Sequence, residues 1–522
     1  MASVREIIGG SALAAALWLA GAPTTALAQA QVAMDDVLVS PQASGRWLRA
    51  ESDHVIVYSD ESPEVLRRVV ADLEALEQTL RSLYGKRDGP PPRKYPIYLV
   101  RPVEPGETEN WSYRRFLPGA PISSLSMNVA EPDDIFAVVV RDNFRFFGAV
   151  DQTAGDDSIL GAYALHFFSE TFPFRQPRWL IKGAAIYYSA IDIQPDKVVV
   201  GQTPALYDER RIAGSLKGVA NVIAETGYGE SPANRRRFDE RAALLVRYLW
   251  ADAGRKARLD AYLKRLDEGE RDVTAAWTQA FGEPPEALEA RLKAFLSAEP
   301  SLTVLPRPAA PAIKIRRAPG GADRLILEIQ QVKAGAPSAN RASLLHRFRT
   351  AAARSPGDRY VRQGLARAEI TLGDRDTGER LLEGLLAEDG GNLEALRLMG
   401  TSKLYRALLE PAHRLDMLAS ARGYLRRADA AEPNDYQTLF LLAQTMTADE
   451  KPSPERLALL RRAVNLAPEV AKIRLVAAVA FLSADDADTA FQLLKPMAAD
   501  PNGGEASRQA RRVLELMEGV EP

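Results

Sequence analysis

The sequence has no cysteine, only four histidines and almost no net charge. The first absence excludes disulfides, thiolate zinc sites, a cysteine nucleophile and the acylated cysteine of a lipoprotein. The second leaves any metal site dependent on carboxylates and on His54, His166, His346 and His413. The third reflects 67 Lys and Arg against 69 Asp and Glu, a formal charge of −2, so no strong field attracts nucleic acid or an anionic membrane. Long apolar runs are equally scarce. The one candidate, about Ile7 to Ala22, is shorter than the ~20 residues of a spanning helix and is followed by Pro23. With Arg5 ahead of it and Ala26-Leu27-Ala28 before Gln29, it has the order of a cleavable secretory signal. Residues 1–28 are therefore expected to be lost on export, leaving a periplasmic or secreted protein with no stable membrane insertion.

The length of 522 residues exceeds the usual single-domain size and points to two or more cores. From Trp47 to about Ser297, strand and helix signals alternate. Ser52 to Ser59 is β-branched and alternating, Pro96 to Val100 reads as a second strand and Ile135 to Val140 as a third. Ser62-Pro63 supplies a cap and a first-turn proline, and Leu66, Val69, Val70, Leu73, Leu76, Leu80 and Leu83 share one helical face up to Gly85. Phe238 to Trp250, Leu259 to Leu266 and Ala287 to Leu296 read as further amphipathic helices. Five prolines between Glu299 and Gly321 then make a stiff, extended, helix-hostile connection. The expected division is residues 45–298, a linker 299–321, and residues 322–520.

The last part is periodic. Turn clusters occur at Ser355-Pro356-Gly357-Asp358, Glu388 to Asn392, Glu432-Pro433-Asn434-Asp435, Ala467-Pro468-Glu469 and Asp500-Pro501-Asn502. With Gly390 standing for proline, the spacings are 34, 43, 35 and 33 residues. A period of this length with Pro at the repeat boundary resembles the tetratricopeptide repeat, a helix–turn–helix unit whose small residues let its helices approach. Ala366 and Gly378, Ala443 and Ala463, and Ala478 and Ala490 fill the small positions. The longest interval implies an insertion within Leu408 to Met417.

Chemistry is sought between Ile159 and Ser189. The segments Leu160-Gly161-Ala162-Tyr163-Ala164-Leu165-His166-Phe167 and Pro177-Arg178-Trp179-Leu180-Ile181-Lys182-Gly183-Ala184-Ala185-Ile186-Tyr187-Tyr188-Ser189 resemble the two active-site helices of the gluzincin zinc metallopeptidases, in particular a bacterial gluzincin-like group with C-terminal helical repeats. In that superfamily the first helix carries H-E-x-x-H and the second E-G-x-A-E-Y. The resemblance places Gly161 and Leu165 at the histidine ligands, Ala162 at the general base, Lys182 at the glutamate ligand and Ile186 at the further acidic position. None of the first three offers a lone pair, and a lysine ~4 Å from a dication is repelled by about 8 kcal/mol at an effective dielectric of 20. Loss of the base alone removes about 10²- to 10⁴-fold in rate.

The resemblance thus implies an α+β gluzincin-like domain with no catalytic residue, no metal and no cofactor, followed by an all-α repeat domain that binds a protein or peptide. Tyr163, His166, Glu170, Trp179 and Tyr187 are the candidates to line a vestigial cleft. Ile159, Leu160, Tyr163, Ala164 and Phe167 form an apolar stripe expected to pack on the sheet, Trp179 and Tyr187. The competing reading is an active hydrolase or metallopeptidase with a non-standard site, for which His166 and Glu170, spaced i, i+4, and Asp156 or Asp157 are the available groups. That pair is expected to be a surface contact, and His54 a packed strand residue. Gly227-Tyr228-Gly229-Glu230 lacks the frame of a phosphate loop and reads as a turn, and Arg235-Arg236-Arg237 as solvated surface.

Overall fold

The computed structural model describes residues 46–85, 93–100, 126–140, 145–146, 149–150, 157–172, 177–202, 216, 218–224, 232–268, 270, 272–296, 302–336, 338–447, 451–498 and 504–517. The signal-like segment, Asp156 and the Gly227 to Glu230 turn lie outside them. The first strands are β1 (Leu48–Glu51) and β2 (Val55–Ser59). Helix α1 (Pro63–Leu83) follows, started by Ser62, whose hydroxyl accepts from the Val65 amide, and by Pro63 in its first turn. Next come β3 (Tyr95–Val100), β4 (Ser126–Ala130), β5 (Ile135–Val140) and the two-residue strands β6 (Arg145–Phe146) and β7 (Ala149–Val150). The helix pair α2 (Asp157–Thr171) and α3 (Arg178–Ser189) is followed by β8 (Asp192–Ile193) and β9 (Lys197–Val200). A helical lobe comprises α4 (Ala220–Ile223), α5 (Pro232–Trp250), α6 (Ala253–Asp267), α7 (Val273–Phe281) and α8 (Leu288–Leu296). His54 stands just ahead of β2 rather than within it, and is only partly buried.

The main sheet is mixed, in the order β11-β1-β2-β3-β5-β4, with β2, β3 and β5 parallel and β4 antiparallel at one edge; β11 is Lys314–Arg317. Both faces are covered. Alternate residues Val55, Val57, Ile97, Leu99, Ala137 and Val139 join a core with α1 and α2. Their neighbours Ile56, Tyr58, Tyr98, Val100, Phe136 and Val138 join a second core. Strand residues point alternately to opposite faces, so burial on both sides demands the unbroken apolar runs that these strands carry.

That second core is completed by the first helices of the C-terminal part, α9 (Ala322–Lys333), α10 (Arg341–Arg354) and α11 (Arg359–Leu372). The proline-rich segment between the two parts is extended, as expected, and it is also paired. Its β10 (Thr303–Pro306) runs antiparallel to β9 and its β11 antiparallel to β1. Arg307 adds an ion pair to Asp72 at 2.9 Å. Prolines are tolerated because β10 and β11 are edge strands.

Helices continue in pairs: α12 (Arg375–Glu388), α13 (Leu393–Leu409), α14 (Arg414–Ala431), α15 (Tyr436–Gln444), α16 (Pro454–Leu466), α17 (Ala471–Ser483), α18 (Ala487–Ala498) and α19 (Gly504–Met517). The chain is thus an α+β region followed by an all-α array of paired helices. The described turn clusters fall where one pair ends and the next begins, and in three of them a polar residue caps the new helix. Asp358 accepts from Val361 N, Asn392 from Ala395 N and Asp435 from Thr438 N. Ala366, Ala443, Ala463, Ala478 and Ala490 are fully buried. The long interval is accommodated by lengthening α13 and α14 around a single 3₁₀ turn, Pro411–His413.

One glycine of the two-helix frame has a purely structural reason to be there. A Cβ on Gly183 would stand 2.4 Å from the Ala242 carbonyl oxygen and 2.7 Å from Val246, so α3 and α5 meet backbone to backbone. Gly183→Ala is therefore expected to destabilise the protein by about 1–3 kcal/mol, read as a lowered urea midpoint, because a helix carbonyl cannot yield as a side chain can.

Candidate functional site

The five positions that the resemblance marks as emptied lie on the facing helices α2 and α3. Gly161 meets α3 directly: a Cβ there would be 3.2 Å from the Ser189 side chain and 3.5 Å from the Ala185 carbonyl. Ala162 is buried, and its carbonyl accepts a 2.6 Å hydrogen bond from Asn128 Nδ2, which ties α2 to β4. Leu165 packs against the core, while Lys182 and Ile186 are partly exposed. Among the described residues, no group of three or more His, Cys, Asp or Glu is placed to hold a metal.

The structure brings three of the five cleft candidates together and sends two elsewhere. Trp179 is fully buried against Tyr262 and Trp277 of α6 and α7, with ring centroids 6.5 and 6.4 Å away. Tyr187 packs on Trp250 of α5 at 5.1 Å. Neither approaches His166 in the manner of a shared cleft; helix α3 turns both toward the helical lobe, whose aromatic residues offer them apolar area.

Tyr163, His166 and Glu170 form one face of α2 beneath β3. The His166 ring stacks on Tyr95 with centroids 3.6 Å apart and planes 4° apart. Of the pair expected at the surface, His166 is buried, because the aromatic face of Tyr95 covers the imidazole, and Glu170 is half-buried. Its Nε2 is 3.8 Å from Glu170 Oε2, beyond hydrogen-bond reach. Burial, reinforced by the charge of Arg93, holds the His166 pKa well below its ordinary value. Burial also raises Glu170 to about 7, against the pull of Arg93. Where a relocated metal would sit, the cluster already has a guanidinium for a neighbour.

Arg93 escaped sequence reasoning, since nothing periodic surrounds it. It pairs with Glu469, in the α16–α17 turn, at 2.6 Å and lies over the Tyr436 ring. On the other side, Tyr163 faces the charges of Glu77 and Glu74 of α1, and Glu74 grips His54 through both its backbone amide and Nδ1, at 2.9 and 2.8 Å. Burial works against a charged His54, but Glu74 and Glu77 outweigh it and raise its pKa. A line of titratable groups thus runs from β2 through α1 and α2 to the repeats.

A second polar site lies where the β4–β5 turn enters the inner face of the repeat array. Glu131 N donates to Asp134 O at 3.1 Å, which closes the hairpin over Pro132 and Asp133. The first helix of successive pairs then supplies a partner. Lys333 of α9 meets Asp134 at 2.9 Å, with both side chains at most 1 % exposed. Arg367 of α11 meets Asp133 at 2.9 Å, the Tyr436 hydroxyl of α15 donates to the Glu131 carbonyl at 3.2 Å, and Lys472 of α17 meets the Glu131 carboxylate at 2.6 Å. Behind the turn, Glu394 of α13 bridges Arg367 and Arg397 at 2.6 and 3.1 Å. Burial alone would raise Glu394, yet these cations prevail and hold it at about 2. The sequence did carry a signal: an acidic Pro-containing hairpin, and charges on helix faces that apolar periodicity marks as internal.

No protein-family description matches the chain, and no curated protein does. Among solved structures it is similar to a chain described as MamA MSR-1 C2, at 16 % identity and a TM-score of 0.25, over 38 % of this chain and 98 % of that one.

The Glu170 environment has a measurable consequence. A carboxyl that is protonated in the folded state up to about pH 7, but ionises near 4.5 when unfolded, favours folding fully below pH 4.5 and loses that contribution as pH rises to 7. The side chain keeps 22 % exposure, so the full linkage value is discounted to about 2 kcal/mol. Glu170→Gln is expected to flatten the fall in urea-unfolding free energy between pH 5 and 8 by about that amount, with the variant the more stable at pH 8.

Proposed function

We propose that this chain is an exported, non-catalytic protein in which a gluzincin-like body survives as structure and a repeat array makes protein–protein contacts. The observation that carries the non-catalytic half is the closeness of α2 and α3 at Gly161, where even a Cβ would press on the Ser189 side chain at 3.2 Å. Lys182 opposite adds a cation where a ligand would have to be an anion or a lone pair. The export half is supported by the order of residues 1–28 alone.

Paired-helix arrays present long continuous surfaces, and this supports the binding half. Two large apolar side chains, Leu409 at 61 % and Leu415 at 68 % exposure, flank the inserted Pro411–His413 turn and offer a contact patch beyond the inner face. The partner class is a protein or peptide. No helix among the described residues is long and apolar enough to cross a membrane.

The second reading, hydrolysis at a non-standard site, draws on one observation: a carboxyl raised to about 7 beside a neutral imidazole is the kind of pair that can pass a proton at neutral pH. The two are separated by experiment. Mature protein dialysed against zinc is expected to retain less than about 0.1 equivalent of metal and to show no cleavage of casein or of a peptide library. Stoichiometric zinc with chelator-sensitive cleavage would overturn the proposal, as would metal-independent cleavage abolished by Glu170→Gln.

A further inference from the structure

The inner face of the repeats is not empty. Solenoids bind partners along such a face, and here the chain places its own acidic turn there. Three carboxylates, Glu131, Asp133 and Asp134, meet three cations, Lys472, Arg367 and Lys333, each from a different helix pair. The tyrosine hydroxyl of a further pair holds the turn's backbone. The contacts differ in depth. Asp134 and Lys333 are sealed, whereas Asp133 is 58 % exposed and Lys472 is 54 % exposed. Arg367 and Tyr436 are themselves buried, with one polar edge directed at the turn.

Apolar packing holds the array on both sides of the sheet. Helices α9 to α11 complete one core, residues of α13 to α18 join the other, and α15 and α17 reach this turn through Tyr436 and Lys472. Exposed ion pairs are weak and screened by salt. Each outer pair keeps one exposed partner, Asp133 against Arg367 at 4 % and Lys472 against Glu131 at 18 %, so water and salt reach these two pairs as they do not reach Asp134 and Lys333.

We infer that the inner face from α11 to α17 is a binding surface for an acidic, turn-forming protein segment, and that the Glu131–Asp134 turn occupies it in cis. Charge complementarity selects the occupant: the face offers Arg367 and Lys472 to carboxylates and the Tyr436 hydroxyl to a carbonyl, spaced for a chain reversal rather than a helix. A partner segment of that chemistry displaces Glu131 and Asp133 while Asp134 stays on Lys333. The inference rests on the reading of the repeats as a protein-binding array, and it names the ligand chemistry of one face.

The test uses the chain's own turn as the probe: a fluorescent, backbone-cyclised peptide carrying Ala-Glu-Pro-Asp-Asp-Ile, with a Gln/Asn version as control. Binding is followed by anisotropy with the full mature protein. In Glu131→Gln/Asp133→Asn the cis ligand loses its outer charges, so the peptide is expected to bind about tenfold tighter than to the unaltered protein, and more weakly as salt rises from about 50 to about 300 mM. Adding Lys472→Gln and Tyr436→Phe to that variant should abolish the gain. Equal binding to the unaltered protein and the double variant, or binding to neither while the double variant keeps its cooperative melt, would overturn the inference.

Should the double variant fail to fold, hydrogen exchange of residues 129–135 decides the matter in Lys472→Gln/Tyr436→Phe. Exchange about tenfold faster than in the unaltered protein supports an exchangeable turn, and unchanged exchange refutes it. A repeat array that captures a protein partner yet ignores the acidic peptide would sink this assignment alone. An array that binds neither would sink the protein-binding reading as well.

Discussion

The sealed pair of Asp134 and Lys333 joins the β4–β5 turn to the first repeat helix beside the apolar core that the two parts share. Lys333 and Asp134 are both removed from water, and each is tolerable there only because the other is present. Burial drives Asp134 up, to about 7, and drives Lys333 down, so the pair sits near the limit at which it would rather share a proton than hold two full charges. Breaking such a pair from one side costs about 3–5 kcal/mol, chiefly the penalty of the stranded charge. Its contribution lies less in stability than in register, because a sealed charge pair leaves α9 one placement against the turn.

Around that pivot the apolar architecture follows. A sheet with one covered face would show apolar residues at every second position, whereas β2, β3 and β5 are apolar throughout because α1 and α2 cover one side and α9 to α11 the other. The first helices of the repeat array are thus the third layer of the α+β region. The boundary suggested by composition separates two kinds of sequence but not two cores. The two-helix segment has a physical reason of its own: Gly183 is required by the α3–α5 approach, and the α2 stripe by the sheet.

Elements with strong local signals were legible in the sequence. Helix α1 has its cap, its proline and its apolar face, and the repeat boundaries are written in Pro, Gly and Asp, so both fall where the pattern puts them. Contacts made over long separations were not. Strands β10 and β11 lie in a proline-rich stretch whose partners are remote in sequence, and strand pairing has no local period to betray it. The site was legible in composition but not in geometry: Tyr163, His166 and Glu170 share a helix face and meet, while Trp179 and Tyr187 are drawn off by aromatic residues of α5, α6 and α7. Arg93 and the acidic turn were invisible as partners of the repeats, since charge pairing across the fold is read from coordinates alone.

The pairing of β1 with β11 also sets an order of events. Leu48 lies opposite Arg317, so the edge of the main sheet closes only after about three-fifths of the 522 residues have emerged. Its outer face waits longer still, for α9 to α11. Contacts this distant in sequence slow folding, because loop-closure entropy is spent before any apolar area is gained. Until then the nascent chain carries an uncovered, β-branched surface that is prone to self-association.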